Sequence, residues 1–161
     1  MAHGTITDEE LADLVRRTEE ATAAFICGDM GRYLELTPHA PGFTLMNPFG
    51  GPPTRYDNRA ESLEKVAGYF AGGEAKLELV QAHASGDIVV LVMIERQHGK
   101  VGGLPDQDLS LRVTLVFRRD GSGWRQVHRH ADALVHGINL EQLATLARGD
   151  RGQLISGAPP T

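Results

Sequence analysis

Two histidines and an aspartate alternate along Trp124-Arg-Gln-Val-His128-Arg-His130-Ala-Asp132, just after an Asp120-Gly121-Ser122-Gly123 turn. Successive strand side chains point to opposite faces, so this spacing predicts that His128, His130 and Asp132 share a face with Trp124 and Gln126. Imidazole suits acid–base chemistry around neutrality because its ordinary pKa lies near 6.5. Asp132 would hold one imidazole tautomer or serve as the base itself. Pairing the preceding strand back across the turn sets Thr114 opposite His128, Arg112 opposite His130 and Ser110 opposite Asp132. The other face of that strand, Leu109, Leu111, Val113, Leu115 and Phe117, is core-like.

Three readings of this polar face stay open. It is a solvated or interface face, on which exposed ion pairs contribute little. It is a ligand pocket in which Arg112 grips an anion such as a carboxylate while the histidines orient it. Or His128-x-His130 and Asp132 hold a metal, against the repulsion of Arg112 and Arg129. The pattern is read as needing neither metal nor cofactor. The catalytic candidates are His128, His130 and Asp132; the ligand-binding candidates are Arg112, Thr114, Trp124, Tyr33 and Arg96. Tyr33 and His39 follow the first helix and could close a pocket mouth, and Arg96 and His98 share a parity near a strand end. Surface placement outweighs a pocket role for these four, and a packing anchor outweighs a ligand-stacking role for Trp124. The chain has no nucleophile elbow, phosphate-cradling glycine motif or dinucleotide fingerprint.

Helices come first. Thr7-Asp-Glu-Glu10 is a capping box, Leu11 to Phe25 recur at helical spacing, and Gly28 stops the run. Asp29 caps a short helix carrying Met30, Tyr33 and Leu34, ended by Thr37-Pro38. Phe43-Thr-Leu-Met opens as a strand and runs into a proline–glycine loop. Asn58-x-x-Glu61 is a second capping box, with Leu63, Val66, Ala67 and Phe70 as its apolar face and Gly72-Gly73 as its stop. The period then changes to two over roughly 74–84, 87–98, 107–118 and 123–131, joined by Ser85-Gly86, a flexible loop and the Asp-Gly turn. Asn139-Leu-Glu-Gln142 starts a last helix closed by Gly149. Residues 1–149 are expected to form one domain and 150–161 a disordered tail.

Helices followed by a strand meander imply α+β, a curved antiparallel sheet with helices on one face. In the second strand Ile88, Val90, Val92 and Ile94 face one way and Val89, Leu91 and Met93 the other. Both sides need cover, so a homodimer is expected. Acidic residues number 21 against 16 basic ones, a net charge of -5 that argues against nucleic acid or an anionic membrane as partner. The N-terminus lacks a signal-peptide pattern, and a single cysteine, Cys27, cannot form an internal disulfide. A cytoplasmic location is expected, with Cys27 a small core residue on the first helix.

The string Phe117-Arg-Arg-Asp-Gly-Ser-Gly-Trp-Arg-Gln-Val-His-Arg-His130, after three helices, resembles the nuclear transport factor 2-like superfamily. Within it, the chain is similar to SnoaL-like domains and to the association domain of calcium/calmodulin-dependent kinase. The resemblance implies a cone-shaped, cystatin-like α+β barrel with a pocket between sheet and helices, usually dimeric through the sheet's outer side. The kinase association domain lines its pocket with an arginine at the position of Thr114, and Arg112 on the same face could take that part. Asp132 stands where the family has a serine. Ketosteroid isomerase and the polyketide cyclases use an acidic base in this cone, but their aspartates do not map onto residues here. The expectation is therefore a SnoaL-like protein with a partly polar pocket for a small organic molecule, anions included. The alternatives are a cofactor-free isomerase or cyclase acting on a small ketone or polyketide-like substrate, and a non-enzymatic dimerisation module.

Overall fold

A computed structural model describes residues 4–55, 60–121 and 123–149, with the side chains of residues 60 and 61 excepted. The capping box at Asn58–Glu61 and the tail 150–161 lie outside the described residues. Helix α1 runs over Asp8–Ile26 and α2 over Met30–Leu36, followed by strands β1 (His39–Met46) and β2 (Thr54–Arg55). Helix α3 (Ala60–Tyr69) passes directly into β3 (Phe70–Ser85). Then come β4 (Ile88–Val101), β5 (Gln107–Asp108), β6 (Leu111–Asp120), β7 (Gly123–Ala133) and helix α4 (Leu140–Arg148).

Local chemistry sets the helix ends. Glu10 N donates to Thr7 Oγ1 at 3.2 Å while Thr7 N donates to Glu10 Oε2 at 2.9 Å, the reciprocal box that the sequence predicts. Asp29 Oδ1 accepts from Arg32 N at 3.0 Å and starts α2. The expected stop at Gly72-Gly73 is not where α3 ends. Phe70 already belongs to β3 and lies opposite Val101 on β4, so strand pairing overrides the helical period there. Cys27 is another correction: it is the cap residue beyond α1 and is exposed, its thiol 3.5 Å from the Gly73 carbonyl oxygen. The apolar stripe ends one residue earlier, at the buried Ile26.

The described strands form one curved, open sheet in the order β2-β1-β7-β6-β4-β3, with β5 paired to β4. All the pairs are antiparallel except β1 with β7, which is parallel, so the sheet is not purely antiparallel as expected. Helix α1 lies on the inner face, where Leu14 packs among Val89, Leu91, Met93, Leu111, Val113, Leu115 and Phe117. Its C-terminal end closes on a place where β3 and β4 nearly touch. A Cβ on Gly73 would lie 2.1 Å from the His98 carbonyl oxygen, and one on Gly99 would lie 3.0 Å from Ile26. Only glycine on both strands lets them cross that tightly under the helix.

Register decides which side chains face the helices. Near the turn, Phe117 pairs with Gln126 and Arg119 with Trp124; beyond it, Val116 pairs with His128, Thr114 with His130 and Arg112 with Asp132. Val127 is the extra residue in a bulge between these two stretches. A bulge reverses the alternation, so Trp124 and Gln126 turn inward and His128, His130 and Asp132 turn outward. Arg129 and Ala131 then return to the inner face. The shared face expected for Trp124, Gln126 and the histidines is thus divided. The expected hairpin register is also displaced, by two residues beyond the bulge and by one nearer the turn, while the faces of β6 follow its own alternation and are as expected.

Candidate functional site

The polar constellation on β6 and β7 does assemble, on the outer face, away from α1. Asp132 Oδ2 lies 3.3 Å from His130 Nε2 and 3.6 Å from Arg112 Nη2. Thr114 is the cross-strand neighbour of His130. His128 is held from the next strand, with Nδ1 2.8 Å from Thr44 Oγ1 on β1. Arg96, on the same outer side of β4, is engaged by Glu78 at 3.0 Å. The Arg112 side chain is 63% exposed, and no wall of the described protein encloses the group. The His130–Asp132 pair has the spacing of an acid–base couple, but in one copy of the chain it meets solvent. Farther along β4, His98 Nδ1 sits 2.9 Å from Asp106, whose hydrogen bond holds the imidazole above its ordinary pKa.

A second polar cluster lies on the inner face, where the sequence points to hydrocarbon. Glu95 continues the buried row Val89, Leu91 and Met93 and is itself 1% exposed. Arg129 reaches it across β6 in a two-pronged pair, Nη1 to Oε1 at 2.7 Å and Nη2 to Oε2 at 2.8 Å. Thr22, buried on α1, adds its hydroxyl at 3.4 Å from Glu95 Oε1. Paired, planar geometry of this kind is what a buried guanidinium requires. Burial works against the Arg129 charge; the adjacent Glu95 carboxylate more than offsets it and holds the guanidinium above its usual pKa.

Beside this pair, Tyr33 from α2 places Oη 3.0 Å from His39 Nε2 at the start of β1. The His39 ring stacks on Phe43 with centroids 3.8 Å apart and planes 17° from parallel, and Phe25 meets Tyr33 edge-on at 5.1 Å. Burial, assisted by the charge of Arg129, pushes the His39 pKa down from 6.5 to about 4. The imidazole is therefore neutral at neutral pH. Gln126 is the β7 partner of His39 and is 1% exposed; Trp124, two residues earlier on the same face, is 4% exposed. Gln126 Oε1 and Trp124 Nε1 have no hydrogen-bond partner among the described residues. The Arg119 guanidinium covers the Trp124 ring at 4.4 Å. His39 also lines an open cleft of about 460 Å³, with Pro41, Phe43, Asp120 and Arg125.

Tyr33 and Trp124 are thus the two ligand-binding candidates on the helix side, and Arg112, Thr114 and Arg96 lie on the other. Glu95 and its pairing with Arg129, the inward turn of Gln126 and the half-burial of His39 escape the sequence reading. One signal was available: Glu95 is a carboxylate in the otherwise apolar row of β4. The cluster around His39 offers a neutral imidazole, a phenol and the Gln126 carbonyl, suited to hydrogen-bonding an uncharged polar group, while the Trp124 indole lies on the same face among the core residues Leu14 and Phe117. Among the described residues no group of three or more His, Cys, Asp or Glu is arranged to hold a metal. No helix among them is long and apolar enough to cross a membrane.

Comparison with solved structures agrees with this architecture. A protein from Kribbella flavida superposes with a TM-score of 0.64 at 14% identity, covering 80% of this chain and 93% of that one. A candidate dehydratase of the NTF2-like family from Streptomyces avermitilis gives 0.62 at 19% identity, covering 80% and 96%. The association domain of the Caenorhabditis elegans calcium/calmodulin-dependent kinase II gives 0.58 at 17% identity, covering 79% and 100%. These likenesses concern the fold. No curated protein sequence matches the chain. The SnoaL-like domain model matches residues 16–135, and this chain belongs to that family.

Proposed function

We propose that this SnoaL-like domain binds a small organic molecule on the helix-facing side of its sheet, beside Tyr33, His39, Trp124 and Gln126. The observation that carries the reading is the pair of buried, unpartnered polar atoms, Trp124 Nε1 and Gln126 Oε1. Buried polar atoms are rarely left unsatisfied, and each such atom costs on the order of 1–3 kcal/mol. An amide or a hydroxyketone carries both the donor that Gln126 Oε1 lacks and the acceptor that Trp124 Nε1 lacks. The Arg129 charge is matched by Glu95, which favours an uncharged ligand over the anion expected from Arg112.

Acid–base catalysis is the second reading, favoured by the Tyr33–His39 hydrogen bond: a neutral imidazole can accept a proton while the phenol orients it. The roles proposed for His128, His130 and Asp132 belong to the outer face, where half-buried Val90, Val92, Ile94 and Val116 favour a homodimer. The single cysteine suits a cytoplasmic setting. Calorimetric titration with benzamide and with benzoate separates the two faces. We expect benzamide binding to weaken at least tenfold in Gln126→Leu and to persist in Arg112→Ala. Loss in Arg112→Ala with retention in Gln126→Leu would move the site to the outer face.

A further inference from the structure

Helix α4 is a well-formed amphipathic helix that buries none of its residues. Asn139 and Gln142 cap it reciprocally, at 2.9 and 3.0 Å, so its start is specified by its own sequence. Leu140, Leu143 and Leu146 are 81%, 55% and 70% exposed. With Ala144 and Ala147 they make an apolar face broader than the polar edge of Glu141, Gln142, Thr145 and Arg148. Nine residues are too few for a helix to persist in water without a surface to pack on, since isolated helices need roughly 12–15 residues. Helix α4 therefore needs a partner.

The same chain leaves a second apolar surface only half covered: Ile88 is 38% exposed, and Val90, Val92, Ile94 and Val116 are half-buried. On the outer face, Ile88 pairs with Arg118, Val90 with Val116, Val92 with Thr114 and Ile94 with Arg112. These aliphatic side chains form a strip across β4 and β6, two inner strands of the sheet. A single copy does not bring the strip and α4 together. Charge also matches. Arg118 beside Ile88 and Glu141 in the first turn of α4 are both exposed, and neither has an ion-pair partner among the described residues.

We propose that α4 is an exchanged arm: in a homodimer, the α4 leucines of each copy pack on the outer Val90–Val92–Val116 strip of the other, with Glu141 against Arg118. This rests on the homodimer reading above and assigns its contacts. A reciprocal exchange buries both unpartnered surfaces twice and closes the assembly at two copies. The linker from Leu134 to Ile138 carries the chain from the end of β7 to the arm.

The test uses the full chain. Sedimentation should show a dimer for the unsubstituted protein. The triple variant Leu140→Ser, Leu143→Ser, Leu146→Ser should dissociate at least tenfold more readily with unchanged thermal unfolding of the monomer, because those leucines are exposed within one copy. In a Cys27→Ser background, oxidising a mixture of Leu143→Cys and Val92→Cys copies should give the mixed disulfide dimer. A monomeric unsubstituted protein would overturn both the homodimer and the arm. An undiminished dimer in the triple variant, or no mixed disulfide, would overturn the arm alone.

Discussion

His39 shows most directly how one side chain reports its surroundings. It sits at the start of a strand, hydrogen-bonded to Tyr33, stacked on Phe43 and close to the Arg129 charge. Nothing in its sequence neighbours marks it as buried, because the groups that bury it come from α2, β1 and β7. Its depressed pKa has a consequence for stability. The unfolded chain binds a proton near pH 6.5 and the folded chain only near 4, so stability is full above about 6.5 and falls as the pH drops toward 4. That interval corresponds to roughly 3 kcal/mol for this residue. Urea unfolding at pH 7 and pH 4 should show His39→Gln losing about that much less than the unsubstituted protein. Equal losses in the two proteins would remove His39 from the buried cluster.

At the scale of elements, the helix starts and the hairpins were legible because short-range chemistry sets them: capping boxes at Thr7 and Asn139, and the Asp-Gly turn at Gly121. The faces of β6 were legible too, since Leu111, Val113, Leu115 and Phe117 alternate without interruption. The faces of β7 were not. Its sequence runs on through Val127 with no local sign of a bulge, and the extra residue is absorbed only because Trp124 fits the core while His128 meets Thr44 on β1. One residue thereby divides a constellation that simple alternation unites. Deleting Val127 makes Gln126 and His128 consecutive, so ordinary alternation then keeps Trp124 inward and the 128–132 segment outward without a bulge. We expect the single tryptophan's fluorescence to stay unshifted and stability to change by no more than about 1–2 kcal/mol. A red-shifted emission would mean that Val127 is not the residue that divides the faces.

Across the whole molecule, the sheet separates two kinds of polar surface. The outer face carries exposed, flexible pairs around an aliphatic strip, which suits contact between copies. The inner face carries a matched Glu95–Arg129 pair, the Tyr33–His39 hydrogen bond, and the unpartnered Trp124 Nε1 and Gln126 Oε1, which suits a small molecule held away from water. The resemblance to the family was readable from the 117–130 string, whereas the location of the site depended on long-range packing. The chain has one tryptophan, so its indole N–H gives a single amide-type NMR signal that reports directly on the inner face. Titration with benzamide should shift the Trp124 indole resonance and leave the side-chain signals of Arg112 unmoved. A titration that shifts Arg112 and leaves the indole unchanged would contradict the central claim that the ligand side of this sheet is the one facing the helices.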